Sequence, residues 1–292
     1  MRKACEVARV DWKIKEIDNV ADAVFDYHTV DVLHFDNIDA VRLRMGEVDA
    51  DVGRAAVTYT QEAGRLALEG RIDAISSAPL NKAAMRAAGF HYEGATQILA
   101  ELCGSKNHAM MLILGKLRLI FYSNHLALRD ACDAVKKDRL LGIIRLADES
   151  LISMGIRRPK IAVAALNPHG GEGGLFGREE LDEIVPAIVE AEESGIDARG
   201  PIPADSVFVR AKEGEFDVAI AMFHDQGAIA IKMAGFGSVV TLLLGLPIIR
   251  TSVGHGTAFD IAGKNLADHV NMEEAIVVAA ELAASKLRAR IG

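Results

Sequence analysis

The chain has 292 residues, 50% of them hydrophobic and 25% charged, enough to bury one large core or two lobes. A net charge of −8 and the lack of any basic tract exclude nucleic acid as the expected partner. Three scattered cysteines, Cys5, Cys103 and Cys132, exclude a disulfide framework and fit a reducing cytoplasm.

The opening stretch, MRKACEVARVDWK, lacks the apolar core of a signal peptide. Residues 3–10 read as a helix, 13–17 as a short strand and 30–35 (VDVLHF) as another. His28 and His34 read as structural or exposed, and no GxGxxG turn opens the chain. Residues 54–69 have helical spacing and stop at Gly70, and 72–76 read as a strand. The loop from Ser77 leads to Lys82 at the start of a helix over 82–88. A lysine there suits an anion, and a solvated loop lysine is an equal reading. Thr96, before a helix over 97–102, is a cap or a ligand contact, with the cap favoured.

Residues 109–114 and 117–122 read as neighbouring strands about Gly115, followed by a helical region over 130–154. The stretch 167–174, NPHGGEGG, holds four glycines in eight residues, which lets backbone approach a ligand. A helix is expected over 179–194, and Asp205 after the turn GPIPA is a site carboxylate or a cap. The longest uncharged stretch, 233–249, is broken by Gly235, Gly237, Gly245 and Pro247, so it reads as a buried strand with loops, not a membrane span. Arg250 ends an apolar run, so it is ion-paired or clamps an anion. Residues 272–290 read as a terminal helix. The alternation of strand and helix predicts parallel α/β layers.

Three apolar runs end in histidine: 117–122 before His125, 161–166 before His169, and 218–223 before His224. If the strands are parallel, the three imidazoles lie along one edge, where α/β sheets collect ligands. Three neutral nitrogens meeting there make a divalent-metal site, and Asp225 adds a carboxylate.

The segments SAPLNKAAMRAAGF, SNHLALRD, LNPHGGEGGLFGREE, GPIPAD, MFHDQGAIAIK, GLPIIRTSV and HGTAFDIAGK carry a resemblance. From about residue 56 onward the chain resembles the 4-hydroxythreonine-4-phosphate dehydrogenase family. That family includes relatives acting on 4-phosphorylated threonate or erythronate and on the dihydrodiol of terephthalate. The resemblance implies an α/β, isopropylmalate-dehydrogenase-like fold with mostly parallel sheets and helices on both faces. It implies one continuous unit over 1–292 with two interleaved lobes, the central one spanning roughly 80–240. The family's first strand and Gly-Pro-rich motif are missing here, so the chain is expected to be truncated at its start. The resemblance also implies a homodimer, NAD or NADP, and one divalent metal per subunit (Zn, Mg, Co or Mn) shared across the interface.

By resemblance the metal ligands are His125, His169 and His224, and Thr96, Lys232 and Arg250 hold the substrate. His255, Gly256, Thr257, Ala258 and Asp260 resemble an adenosine-binding loop. Lys82 and Asn167 join the candidate substrate contacts, and Lys232, Asp205 and Asp225 are the candidate catalytic groups. Three positions depart from the family: Ala95 replaces histidine, Thr241 replaces asparagine and Gly254 replaces aspartate. Losing each of the first two polar contacts is expected to cost roughly 1–3 kcal/mol of phosphate binding.

The expected activity is metal-dependent, NAD-linked oxidation of a secondary alcohol in a small anionic substrate, with possible decarboxylation. The substrate expected first is 4-hydroxythreonine 4-phosphate or a 4-phosphorylated C4 sugar acid. An aromatic-dicarboxylate cis-dihydrodiol dehydrogenase, a metal hydrolase and a non-catalytic paralogue are the alternatives. A phosphate acetyltransferase is disfavoured by the three histidines. No membrane association is expected.

Overall fold

A computed structural model describes residues 1–39 and 41–291. Helix α1 (Arg2–Ala8) precedes a parallel pair, β1 (Lys13–Ile17) and β2 (Thr29–Leu33). Helix α2 (Ala50–Leu68) is capped by the Asp49 carboxylate, which accepts from the Asp51 and Val52 amides. It leads through β3 (Ile75–Ser77) to α3 (Lys82–Ala87) and α4 (Ala95–Leu102). Then come β4 (Ala109–Leu114), β5 (Leu117–Phe121), α5 (Leu128–Asp133), α6 (Lys137–Ser153) and β6 (Lys160–Ala164). The chain continues with α7 (Val185–Glu193), β7 (Asp197–Ile202), α8 (Ala204–Lys212) and β8 (Val218–Ala221). It finishes with α9 (His224–Ala234), β9 (Val240–Leu244), β10 (Arg250–Val253) and α10 (Val270–Ile291).

Eight strands form one sheet in the order β3-β10-β9-β4-β5-β8-β6-β7. Five of the eight strand pairings among the described residues are parallel, and the three antiparallel ones lie together at β10–β9–β4–β5. The sheet is therefore mixed, as the α/β class allows.

Its central strands read as unbroken apolar runs because both faces are covered. Met111, Ile120, Val163 and Ile220 pack on one side with α6 and α7, through Leu140, Ile144 and Ile188. Their chain neighbours Leu112, Phe121, Ala162 and Ala221 pack on the other side with α8 and α9, through Val207, Phe208 and Ile231. The period of two sorts successive residues to opposite cores.

The helical region expected over 130–154 consists of two helices, α5 and α6. The Tyr122 hydroxyl fills the break, donating to the Ala134 carbonyl and accepting from the Lys136 amide. The Glu183 carboxylate then accepts from the Lys137 amide and serves the start of α6. No helix among the described residues is long and apolar enough to cross a membrane.

Helices α2 and α3 approach so closely that a Cβ at Gly53 would lie 2.1 Å from the Ala84 carbonyl oxygen. Gly53→Ala removes a helix penalty of about 1 kcal/mol. It is nevertheless expected to destabilise by about 1–3 kcal/mol through overpacking. The check is a lower urea midpoint at unchanged m-value.

Candidate active site

Strands β5, β8, β6 and β7 are adjacent and parallel, so their carboxyl ends share one edge. His125, His224, His169 and Asp205 all follow those ends. The strand ends are tied together by two polar side chains that sequence reasoning did not single out. Ser123 Oγ donates to the Met222 carbonyl at 2.9 Å. Gln226 accepts from the Met222 amide and donates to the Ala165 carbonyl, both at 2.8 Å.

The His125 and His224 rings are 6.3 Å apart, and the His224 ring stacks on Phe121 at 5.6 Å. Each of the three imidazoles turns Nδ1 toward a carboxylate. His224 meets Asp225 at 2.7 Å, His169 meets Glu172 at 2.9 Å, and His125 faces Glu93 at 3.8 Å. With the proton on Nδ1 at His224 and His169, the Nε2 lone pair is left outward, as ligating histidines require, while the His125–Glu93 approach is longer than a hydrogen bond.

Within one chain the three rings do not converge. Among the described residues, no three His, Cys, Asp or Glu groups stand close enough to hold an ion alone. His169 stands off because its turn is left-handed from His169 to Gly173, with φ between 43° and 76°. The donor chemistry fits a divalent metal, but one chain does not complete the set.

Arg250, at the end of its apolar run, is the first residue of β10, and only 6% of it is exposed. Its Nε and one terminal nitrogen donate to Ser77 Oγ at 3.1 and 2.8 Å, and the other points at Thr96 Oγ1 at 3.5 Å. It forms no ion pair among the described residues. Burial pushes its guanidinium down to about 10, so it stays charged at neutral pH. A buried cation held only by hydroxyls is a cradle for an anion.

Thr96 lies in the first turn of α4, whose cap position is Gly94, so the cap reading falls. Asp205 likewise lies inside α8, after Pro203 at the cap position. Both side chains are free of capping duty.

The cradle and the histidine row are linked along the chain. Glu93, which faces His125, stands three residues before Thr96. On the other flank, Asn81 caps α3 through the Ala84 amide and points its Nδ2 at Thr257 Oγ1 at 3.5 Å. The loop with His255, Gly256, Thr257, Ala258 and Asp260 thus touches the loop that follows Ser77. His255, Gly256, Ala258 and Asp260 are exposed. Lys82 and Lys232 are exposed, at the start of α3 and in the last turn of α9.

The departures are absorbed locally. Ala95 is buried, and Thr241 spends its hydroxyl on the Val253 carbonyl at 3.4 Å. At Gly254 a Cβ would come 2.9 Å from the Val239 carbonyl oxygen, so an aspartate there needs a backbone shift. Asn167 gives both amide hydrogens to carboxylates, at 2.7 Å to Glu179 and 2.8 Å to Glu180, leaving only its Oδ1 for a ligand. Ser77, Glu93, Ser123, Glu172, Glu180 and Gln226 are the side chains that sequence reasoning missed. For Ser77 the signal was a polar residue at a strand's last position, and for Ser123 and Gln226 it was a polar residue two positions from a strand-end histidine; Glu93, Glu172 and Glu180 carried none.

Residues 1–279 match the model of the family described as pyridoxal phosphate biosynthetic protein PdxA. A Halalkalibacterium halodurans protein named as a D-threonate 4-phosphate dehydrogenase is 44% identical over 283 residues, covering 97% of this chain and 85% of that protein. The crystal structure of a 4-hydroxythreonine-4-phosphate dehydrogenase from Klebsiella pneumoniae superposes with a TM-score of 0.90 at 41% identity, covering 97% of this chain and 87% of that one. A terephthalate 1,2-cis-dihydrodiol dehydrogenase from Burkholderia xenovorans is more distant, with a TM-score of 0.66 at 30% identity over 96% of this chain and 86% of that one. The similarity reaches past residue 56 into the first helix and the β1–β2 pair, and this chain belongs to the PdxA family of dehydrogenases.

Proposed function

We propose that the protein is an NAD(P)-linked, divalent-metal-dependent dehydrogenase. It oxidises the secondary alcohol of a 4-phosphorylated four-carbon hydroxy acid, with D-threonate 4-phosphate or 4-hydroxythreonine 4-phosphate as the leading substrates. The observation that carries this reading is the buried Arg250 cradle, free of carboxylate partners among the described residues, with Thr96 beside it three positions after Glu93, the residue that faces His125. The relatives' printed names support it: both substrate names combine a phosphate ester with hydroxyl groups on a short chain.

In this reading Arg250, held by Ser77, takes the anionic end, and Lys82 and Lys232 add positive charge around it. Thr96 contributes its hydroxyl beside the guanidinium. Asp225 and Glu172 hold the imidazoles of His224 and His169 with Nε2 outward. A divalent cation held by His125, His169 and His224 would supply Lewis acidity at the alcohol oxygen, and a nicotinamide cofactor would supply the hydride acceptor. Asp225 is committed to His224, which leaves Asp205 as the acceptor of the hydroxyl proton. Oxidation at the carbon β to a carboxylate gives a β-keto acid, which loses carbon dioxide readily. The loop from His255 to Asp260 serves the adenosine end of the cofactor.

The metal set is completed by a second copy in a homodimer. Leu126, Leu128, Leu175, Phe176, Ile229 and Met233 support this, because all are exposed on the elements that carry the three histidines. The three free cysteines and the acidic balance suit the cytoplasm.

The test is NADH or NADPH formation by the purified protein with Mg, Mn, Co or Zn. Both phosphorylated acids and the terephthalate cis-dihydrodiol are offered. Turnover with a phosphorylated acid, lost on chelation, is expected. Turnover with the dihydrodiol alone overturns the substrate assignment, and no reduction under any condition overturns the dehydrogenase reading.

A further inference from the structure

Glu180 is a carboxylate with only 2% exposure, and the oxidation described above makes no use of it. It sits in a wide turn, residues Glu180–Ile184, that leads into α7. A buried carboxylate is costly unless its oxygens are filled by donors. Here Oε1 accepts from the Leu166 and Asn167 amides at 2.9 and 2.7 Å. Oε2 accepts from Asn167 Nδ2 at 2.8 Å, and Glu179 takes the other Nδ2 hydrogen at 2.7 Å.

The same carboxylate reaches the far side of the turn. A Cβ on Gly171 would lie 2.8 Å from Glu180 Oε2, so the loop is folded against that oxygen. The left-handed turn is thus pinned at Asn167 and packed down at Gly171, with His169 midway between them. His169 itself holds φ 53°, a conformation that costs a non-glycine residue energy unless its surroundings impose it.

We propose that Glu180 is the positioning residue of His169. It decides where that imidazole stands by clamping the turn on both sides. The consequence for metal binding rests on the reading of His169 as a ligand. The clamp itself does not.

The test compares wild type with Glu180→Gln, which keeps an oxygen for the two backbone amides and sets an NH2 against Asn167 Nδ2. Hydrogen exchange is followed by mass spectrometry on the full-length protein. Amides between 166 and 172 are expected to exchange at least about tenfold faster, while peptides holding His125 and His224 stay as in wild type. Titration with Co2+ alone is expected to show binding weakened by about tenfold. In a His169→Ala background the glutamine is expected to weaken Co2+ binding no further, because the two act as one unit.

Unchanged exchange in Glu180→Gln and in Glu180→Ala overturns the proposal. So does a Co2+ effect that adds in full to that of His169→Ala, since Glu180 then acts elsewhere. A wild-type protein that binds no Co2+ sinks the metal reading, and the exchange data then decide the clamp on their own.

Discussion

Arg250→Met is expected to raise KM for the phosphorylated substrate by at least about a hundredfold, the loss of roughly 3 kcal/mol of anion binding. The same substitution is expected to make the ligand-free protein more stable, by about 1–4 kcal/mol. The two effects share one cause. The guanidinium is buried against Ser77 and Thr96 with no carboxylate to offset its desolvation. Methionine fills similar space with no charge to strand. Linkage gives the sign: Arg250 titrates at about 10 in the folded chain, below its value in the unfolded chain. Above pH 10 the unfolded chain therefore holds a proton that the folded chain has shed, and stability rises with pH in that window. Below it the full cost of burying the charge is present, including at neutral pH. Thermal melts of wild type and variant at pH 7, with KM from initial rates, check both halves. A variant that melts lower would make Arg250 a structural cation. An unchanged KM would remove it from the substrate site.

His224→Ala is expected to lower metal-dependent kcat by about a thousandfold, the several kcal/mol that a Lewis acid supplies. The ring is partly exposed and rests against Phe121 on one side, so its loss is expected to leave the melting temperature within a few degrees of wild type. Asp225→Asn removes the carboxylate behind Nδ1 and is expected to cost less, about tenfold to a hundredfold in metal affinity. Chelator added to His224→Ala is expected to change nothing further. Turnover that survives the alanine and still responds to chelator would place the cation elsewhere.

Much of this arrangement was legible before any coordinates. Residues 117–122, 161–166 and 218–223 read as strands because both faces of the sheet are covered, and the histidines fall where those strands stop. Their parallel adjacency follows from the helical segments between them. The antiparallel β4–β5 pair was legible from its short link at Gly115, but the reversal at β10–β9–β4 was not, because an apolar run has the same pattern in either direction. The break between α5 and α6 was hidden for a different reason. It is set by the hydroxyl of Tyr122, a residue outside the helical window. Arg250 stood out as a charge in apolar company, yet its partner Ser77 lies 173 positions away and nothing in the sequence links the two. Glu180 reads as a surface residue in the acidic run at 179–180, and only the turn folded over it shows otherwise. The convergence of three imidazoles was an inference from strand ends, and a single chain does not complete it.

Strand β3 has one neighbour in the sheet, β10, and Thr251 of that neighbour hydrogen-bonds the Ala275 carbonyl of α10 at 2.7 Å. On the ribosome, then, Ser77 waits through another 173 residues of translation before Arg250 arrives. Closing so long a loop carries an entropic cost that only the finished sheet repays. A nascent chain cut off before residue 250 already holds every one of the three strand-end imidazoles, and has no place to grip an anion.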